Sequence, residues 1–145
     1  MATYTSKQYT NSPKAFVGAT PGNTMTFYWE VSVSAAAANL DAFVFGTVPK
    51  GFRLTAATLE ATDIDTNGSP TVTINIGDSG DADRIFAAST VGQAGTLSSA
   101  LATTGFGYLY TDDTVITGAI PTGPATGATG TVYLALTGRF EGPNS

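Results

Sequence analysis

Cysteine and histidine are both missing from the 145 residues. Their absence removes disulfides, zinc sites of the Cys/His type, thiol nucleophiles and every histidine-based triad. Charge is scarce as well: six basic and 11 acidic residues make up 12% of the chain, about half the usual share of roughly 25%. The basic residues, Lys7, Lys14, Lys50, Arg53, Arg84 and Arg139, are widely scattered, and the net charge is −5. Phosphate backbones are bound by clustered Lys and Arg, so no nucleic-acid partner is expected. Long apolar runs are lacking too. Runs such as Ala35–Ala38, and even the longest, Val132–Leu136, are far short of the roughly 20 residues a spanning helix needs. Residues 1–24 hold no apolar stretch like the core of a signal peptide. The sequence therefore predicts a soluble chain made in a cytoplasm, with no membrane partner and no cofactor.

Small residues are abundant: 25 Thr, 21 Ala and 17 Gly together make 63 residues, nearly half the chain. A chain of this length suits one domain that buries roughly 68–70% of its unfolded surface. Residues 1–24 carry Pro13, Pro21, Gly18 and Gly22 without a regular apolar period, and they read as an extended N-terminal arm. Its aromatic and apolar anchors are Tyr4, Tyr9, Phe16 and Val17. With no strand period to dock them locally, they are expected to form an interface on a neighbouring chain.

The body, residues 25–145, reads as a single β-sandwich. In 25–34, Phe27, Trp29, Val31 and Val33 alternate with polar residues, the period of a half-buried strand. Residues 42–48 form a short apolar run closed by Pro49-Lys50-Gly51, a turn signal. In 52–64 the apolar phase changes, with Phe52, Leu54 and Ala56 on one phase and Leu59 and Ala61 on the other, a pattern that predicts a bulge or break. Asn67-Gly68 is a strong hairpin dipeptide, and it leads into Val72, Ile74 and Ile76 on one face. This predicts a hairpin over 59–77. Ser79 or Asp81 is placed to cap one short helix ahead of Ile85 and Phe86. Phe106, Tyr108 and Tyr110 predict a strand over 105–110, and Val115 to Ile120 is a further candidate. Thr117 to Gly130 is a low-complexity tract with no core of its own. Val132, Leu134 and Leu136 then define the closing strand. The fold class is all-β: a jelly-roll-like β-sandwich of seven to eight strands with at most one short helix.

Candidate chemistry is thin. Asp63-x-Asp65-x-Asn67-Gly68 matches the first half of a calcium loop, but the twelfth position, which needs a bidentate Glu, is Ile74. The alternative is an acidic turn. Asp78, Asp81 and Asp83 offer either weak calcium ligands or caps and a partner for Arg84. Paired-carboxylate catalysis needs two groups converging across a cleft, whereas Glu30 and Glu60 both fall at outward-facing strand positions. No phosphate-cradling Gly-Lys-Ser/Thr occurs. No catalytic residue, cofactor site or metal site is assigned, and an enzyme is not expected. Tyr28, Tyr108, Tyr110 and Tyr133 suit either a sugar-binding face or core-edge and interface positions.

Several segments resemble a known family. They are the opening Met1-Ala-Thr-Tyr-Thr-Ser-Lys-Gln-Tyr9, Val48-Pro-Lys-Gly-Phe-Arg-Leu-Thr, Leu59-Glu-Ala-Thr-Asp-Ile-Asp and the stretch from Thr71 to Phe86. Gly107-Tyr-Leu-Tyr-Thr-Asp-Asp-Thr-Val and Gly130-Thr-Val-Tyr-Leu-Ala-Leu-Thr extend the likeness. Gly77-Asp-x-Gly-Asp-Ala-Asp-Arg84 is its most specific piece. Together they resemble small virion structural proteins of tailed bacteriophages. The resemblance implies a β-sandwich or jelly-roll body and no catalytic residues. Within that class the short, acidic, non-fibrous chain suits a capsid decoration (cement) protein. Such a protein would bind the major capsid protein on the outer surface of the virion, as a homotrimer. The alternatives are a tail, neck or head-fibre component, or a carbohydrate-binding module.

Overall fold

The structure, a computed structural model, describes residues 1–11 and 22–142. Nine strands, one short α-helix and a single 3-10 turn follow one another among them: β1 (Thr3–Thr5), α1 (Lys7–Asn11), β2 (Thr24–Val33), β3 (Ala42–Val48), β4 (Phe52–Ala61), β5 (Thr73–Gly77), β6 (Phe86–Ser89), the 3-10 turn (Val91–Gln93), β7 (Leu97–Ser98), β8 (Thr114–Thr122) and β9 (Gly130–Phe140). They form two sheets, ordered β1-β3-β8-β5-β6 and β2-β9-β4-β7.

The pairing is nested. Strand β2 pairs with β9, β3 with β8, β4 with β7 and β5 with β6, all antiparallel. A long antiparallel ribbon rolled over on itself gives this order, and the result is a jelly roll. The expected sandwich is therefore present. The predicted hairpin over 59–77 is not, because β4 and β5 lie in different sheets. Residues 62–72 carry the chain across the sandwich, and Asn67-Gly68 turns within that crossing.

Alternation places the core. Trp29, Val31 and Val33 of β2, Leu59 of β4, Ile74 and Ile76 of β5 and Leu134 of β9 all face inward and are buried. The change of apolar phase in β4 has a structural cause. Its register with β9 shifts between Leu54 and Ala56, so Phe52 and Leu54 point inward before the bulge, and Ala57, Leu59 and Ala61 point inward after it. The bulge turns one residue aside and resets the alternation.

Three further expectations are corrected. Residues 105–110 do not form a strand: 103–107 turn, and only Leu109 makes a bridge, to Arg53. Residues 78–85 contain turns and bends where a short helix was expected. The candidate strand Val115 to Ile120 is present as β8, which runs on through Thr122 and so takes in the first part of the low-complexity tract; its Ile116 and Ile120 are fully buried in the centre of the five-stranded sheet. Thr and Gly supply little hydrophobic signal, but they fit a strand flanked on both sides, where ladder pairing and two buried Ile are enough.

Gly46 illustrates how tightly the two sheets meet. It follows a register shift in β3, and a Cβ there would collide with the Trp29 indole. Replacing Gly46 with Val is expected to lower unfolding stability by about 1–3 kcal/mol, the usual cost of overpacking. Urea unfolding followed by Trp29 fluorescence measures it.

Candidate interaction surfaces

No group of three or more Asp, Glu, His or Cys is placed to hold a metal ion among the described residues. What the structure assembles from its acidic residues is a set of loop anchors. Asp65 is buried, and its two oxygens accept five backbone N–H groups. Oδ2 accepts from Thr71 at 2.7 Å, Ala125 at 2.9 Å and Val72 at 3.1 Å. Oδ1 accepts from Thr126 at 2.9 Å and Asn67 at 3.4 Å. Burial alone would raise the Asp65 carboxyl. The N–H donors of Thr126, Thr71, Ala125 and Val72 outweigh that and hold it well below the usual carboxylate range. Asp63 Oδ1 likewise accepts the Asp65 N–H, and Asn67 Oδ1 the Ser69 N–H. The oxygens that a calcium loop would aim at an ion are turned toward the positive ends of peptide dipoles. Asp63, Asp65 and Asn67 thus build an acidic turn that ties the 62–72 crossing to the loop between β8 and β9.

The Asp78 cluster has the same character. Asp78 Oδ1 accepts the N–H groups of Gly80 and Asp81, and the Arg84 guanidinium clasps both Asp78 oxygens, Nε at 2.7 Å and Nη2 at 3.2 Å. Burial opposes ionisation of Asp78, yet Arg84 and the backbone donors lower its carboxyl below the ordinary value. A side chain on Gly77 would collide with the Asp81 carbonyl. The motif Gly77-Asp-x-Gly-Asp-Ala-Asp-Arg84 is therefore one closed turn with an internal ion pair. Arg84 also lies 3.7 Å from the centre of the Tyr108 ring, which meets Tyr110 edge-on at 4.9 Å. Tyr110 is buried against Phe52, and its phenol is pushed up by burial and by nearby Asp78.

The candidate arm residues divide. Tyr4 lies in β1, which pairs in parallel with β3. Its ring packs 5.9 Å from that of Phe43, and its hydroxyl donates to Asp41 Oδ2 at 3.1 Å. Buried Asp41 also accepts the N–H groups of Ala2 and Ala38, and the Ala2 bond leads the causes that lower its carboxyl. Tyr9 is half-buried in α1, and its N–H donates at 2.9 Å to Ser6 Oγ, which caps the helix. Phe16 and Val17 lie outside the described residues. The stretch read as an extended arm thus contains a strand and a helical turn, and residues 3–6 dock on the chain's own sheet. A three-residue parallel strand leaves no periodic signature. Its anchor, Asp41, is distant in sequence.

The four tyrosines of the possible sugar face also separate. Tyr108 and Tyr110 belong to the Arg84 cluster, whereas Tyr28 and Tyr133 meet on the outer face of the four-stranded sheet, centroids 6.3 Å apart and planes 25° apart. Tyr28 is 52% exposed. Glu30 and Glu60 sit directly across from Tyr133 on either side. They face outward, as the alternation predicts, with no cleft between them. Lys7 Nζ reaches Glu30 Oε1 at 2.8 Å. Sequence alternation alone marks this face as outward; its composition emerges only from the register.

Three solved capsid structures contain chains similar to this one. A chain of the cyanophage Pam1 capsid asymmetric unit is 39% identical, with 87% of this chain and 91% of that chain covered and a TM-score of 0.76. A chain of the capsid of Ralstonia phage GP4 is 28% identical, with coverage of 95% and 97% and a TM-score of 0.83. A chain of the acidic stable capsid of Helicobacter pylori bacteriophage KHP30 shares the fold at 11% identity and a TM-score of 0.54. Neither a family model nor a curated protein matches the chain.

Asp65→Asn replaces one acceptor oxygen by an amide donor that would face peptide N–H groups. It is expected to cost about 3 kcal/mol, given the strength of bonds to a charged acceptor, and to lower the melting temperature by roughly 10 °C. The folded-state carboxyl lies below its unfolded value. Its stabilisation is therefore full above the ordinary carboxylate range, near about pH 4, and is lost as pH falls toward the lower folded value. Thermal melts from neutral to acid pH should show stability falling in acid, with a shallower fall in Asp65→Asn. Asp41 and Asp78, lowered in the same direction, keep a residual slope.

Proposed function

We propose, from the premise that this chain belongs to the family of phage capsid proteins that includes the cyanophage Pam1 chain, that it is a decoration (cement) protein on the outer surface of the virion. The structural role in a phage capsid follows from the family. The observation that carries it is the match over nearly the whole chain at 39% identity. The narrower reading has three supports. The chain is small, with 145 residues. Its buried carboxylates are occupied by loop N–H groups and by Arg84, which leaves binding rather than chemistry as its task. Its surface carries few charges, and weakly charged faces are easier to bury against a lattice because desolvating an ion costs several kcal/mol.

In this reading the protein assembles as a trimer at the local threefold positions of a lattice built by the major capsid protein. Tyr9, Phe16 and Val17 of the N-terminal segment contribute contacts to neighbours, while Tyr4 holds the segment to its own body. Many copies bound to the intact shell and not to its dissociated subunits raise its resistance to rupture by mass action.

The test adds purified protein to capsids that lack it and heats them. The rupture temperature is expected to rise until the sites are filled. Combined substitution of Tyr9, Phe16 and Val17 by Ala is expected to weaken capsid binding while leaving the melt of the free protein nearly unchanged. Capsids indifferent to the protein, or labelled copies found in the tail or neck by electron microscopy, would overturn the decoration reading.

A further inference from the structure

The outer face of the β2-β9-β4-β7 sheet is electrostatically lopsided along β9. At one end Tyr133 is bracketed by Glu30 on β2 and Glu60 on β4, each directly opposite it in register. Lys7 engages Glu30, while Glu60 is exposed. Six residues further along the same strand, about 20 Å away at strand rise, Arg139 is exposed on the same face. Arg139 lies directly across from Arg53, and like charges opposite one another destabilise a sheet. Glu141 relieves only part of this, since it is clasped by the Arg53 guanidinium, whose Nη2 is 3.0 Å from Oε1. Between the two ends one large side chain, half-exposed Tyr28 on β2 across from Ala135, stands among small ones: Ala135 and Thr137 on β9, Thr26 on β2, and Ala56 and Thr58 on β4. A second sheet could approach these residues at the roughly 10 Å spacing of packed sheets.

We propose that this face is a self-complementary contact between two copies of the chain, related by a twofold axis that crosses the strands level with Leu136. The rotation reverses β9 of one copy over β9 of the other. Arg139 of each copy then lies over Tyr133 of its partner, between Glu30 and Glu60. The guanidinium meets the Glu60 carboxylate and the Tyr133 ring, beside the Glu30 carboxylate that Lys7 already engages, a pairing favoured for Arg through ion pairing and cation–π attraction. Because the contact is isologous, both ends are satisfied by the same residues. The face is small, so the association belongs to the weak class below about 1,200 Å² of buried surface. The contact does not depend on the capsid reading and forms in free solution. On a shell it would link neighbouring units.

Sedimentation velocity of the full chain over a wide concentration range tests this. The mass of the sedimenting unit is expected to double with concentration at about 0.1 M salt. It should fall back near 1 M, where the screening length shrinks from about 10 Å to about 3 Å. Arg139→Glu alone and Glu60→Arg alone should each weaken the doubling by about tenfold or more, with thermal melts of both variants close to the parent. An equimolar mixture of the two variants should regain it, because each mixed pair keeps one native contact and makes one swapped one. A particle that never doubles, a doubling indifferent to salt and to both substitutions, or a mixture that stays dissociated would overturn the proposal. The capsid-rupture experiment reads the decoration role separately.

Discussion

A chain that rolls between two sheets leaves backbone N–H groups at every crossing with no ladder to join. Buried and unpaired, each such group would cost on the order of 1–3 kcal/mol. This chain meets the constraint with three buried aspartates, Asp41, Asp65 and Asp78. Asp41 holds the start of the chain and the loop before β3. Asp65 joins the crossing after β4 to the loop before β9. Asp78 closes the turn after β5 with the help of Arg84. An ionised carboxylate can accept several bonds in a small volume, which suits places where several strand ends converge. The scarcity of charge in the sequence and its concentration at these points belong together.

The sandwich was legible wherever one face of a strand meets the core and the other meets water. Alternation located β2, β5 and β9 to within a residue or two, and even the phase change in β4 carried its bulge. What alternation could not convey was partnership. Asn67-Gly68 has the local chemistry of a hairpin, but Leu59 finds its partner in Leu134, and Ile76 finds Gly118 on β8. Turn chemistry is local, while nested pairing is set by the whole chain. Strand β8 was half hidden for a related reason. Its Gly118 and Thr122 look like linker composition, yet a strand paired on both edges needs few large side chains to stay in place.

The surface was less legible than the core. The outward phase of Glu30 and Glu60 could be read, but not that both flank Tyr133, because their common neighbour lies on β9, some 70 to 100 residues further along. The tyrosines looked like one set and proved to be two. Conversely, the motif from Gly77 to Arg84 was the most specific stretch of the sequence, and its specificity is structural. Gly77 leaves room for the Asp81 carbonyl, and Arg84 answers the Asp78 charge.

Nested pairing also imposes an order in time. Strand β9 lies between β2 and β4 and pairs with both along most of its length. The four-stranded sheet therefore cannot close until residues 130–140 have left the ribosome, about a hundred residues after β2 has emerged. Until then β2 and β4 have no common partner, and such non-local pairing is slow to form because loop closure precedes its reward. A prematurely ended chain would lack the strand that unites its sheet, so it could not display the finished outer face. The topology acts as a length check: the finished outer face exists only on molecules whose synthesis has passed β9.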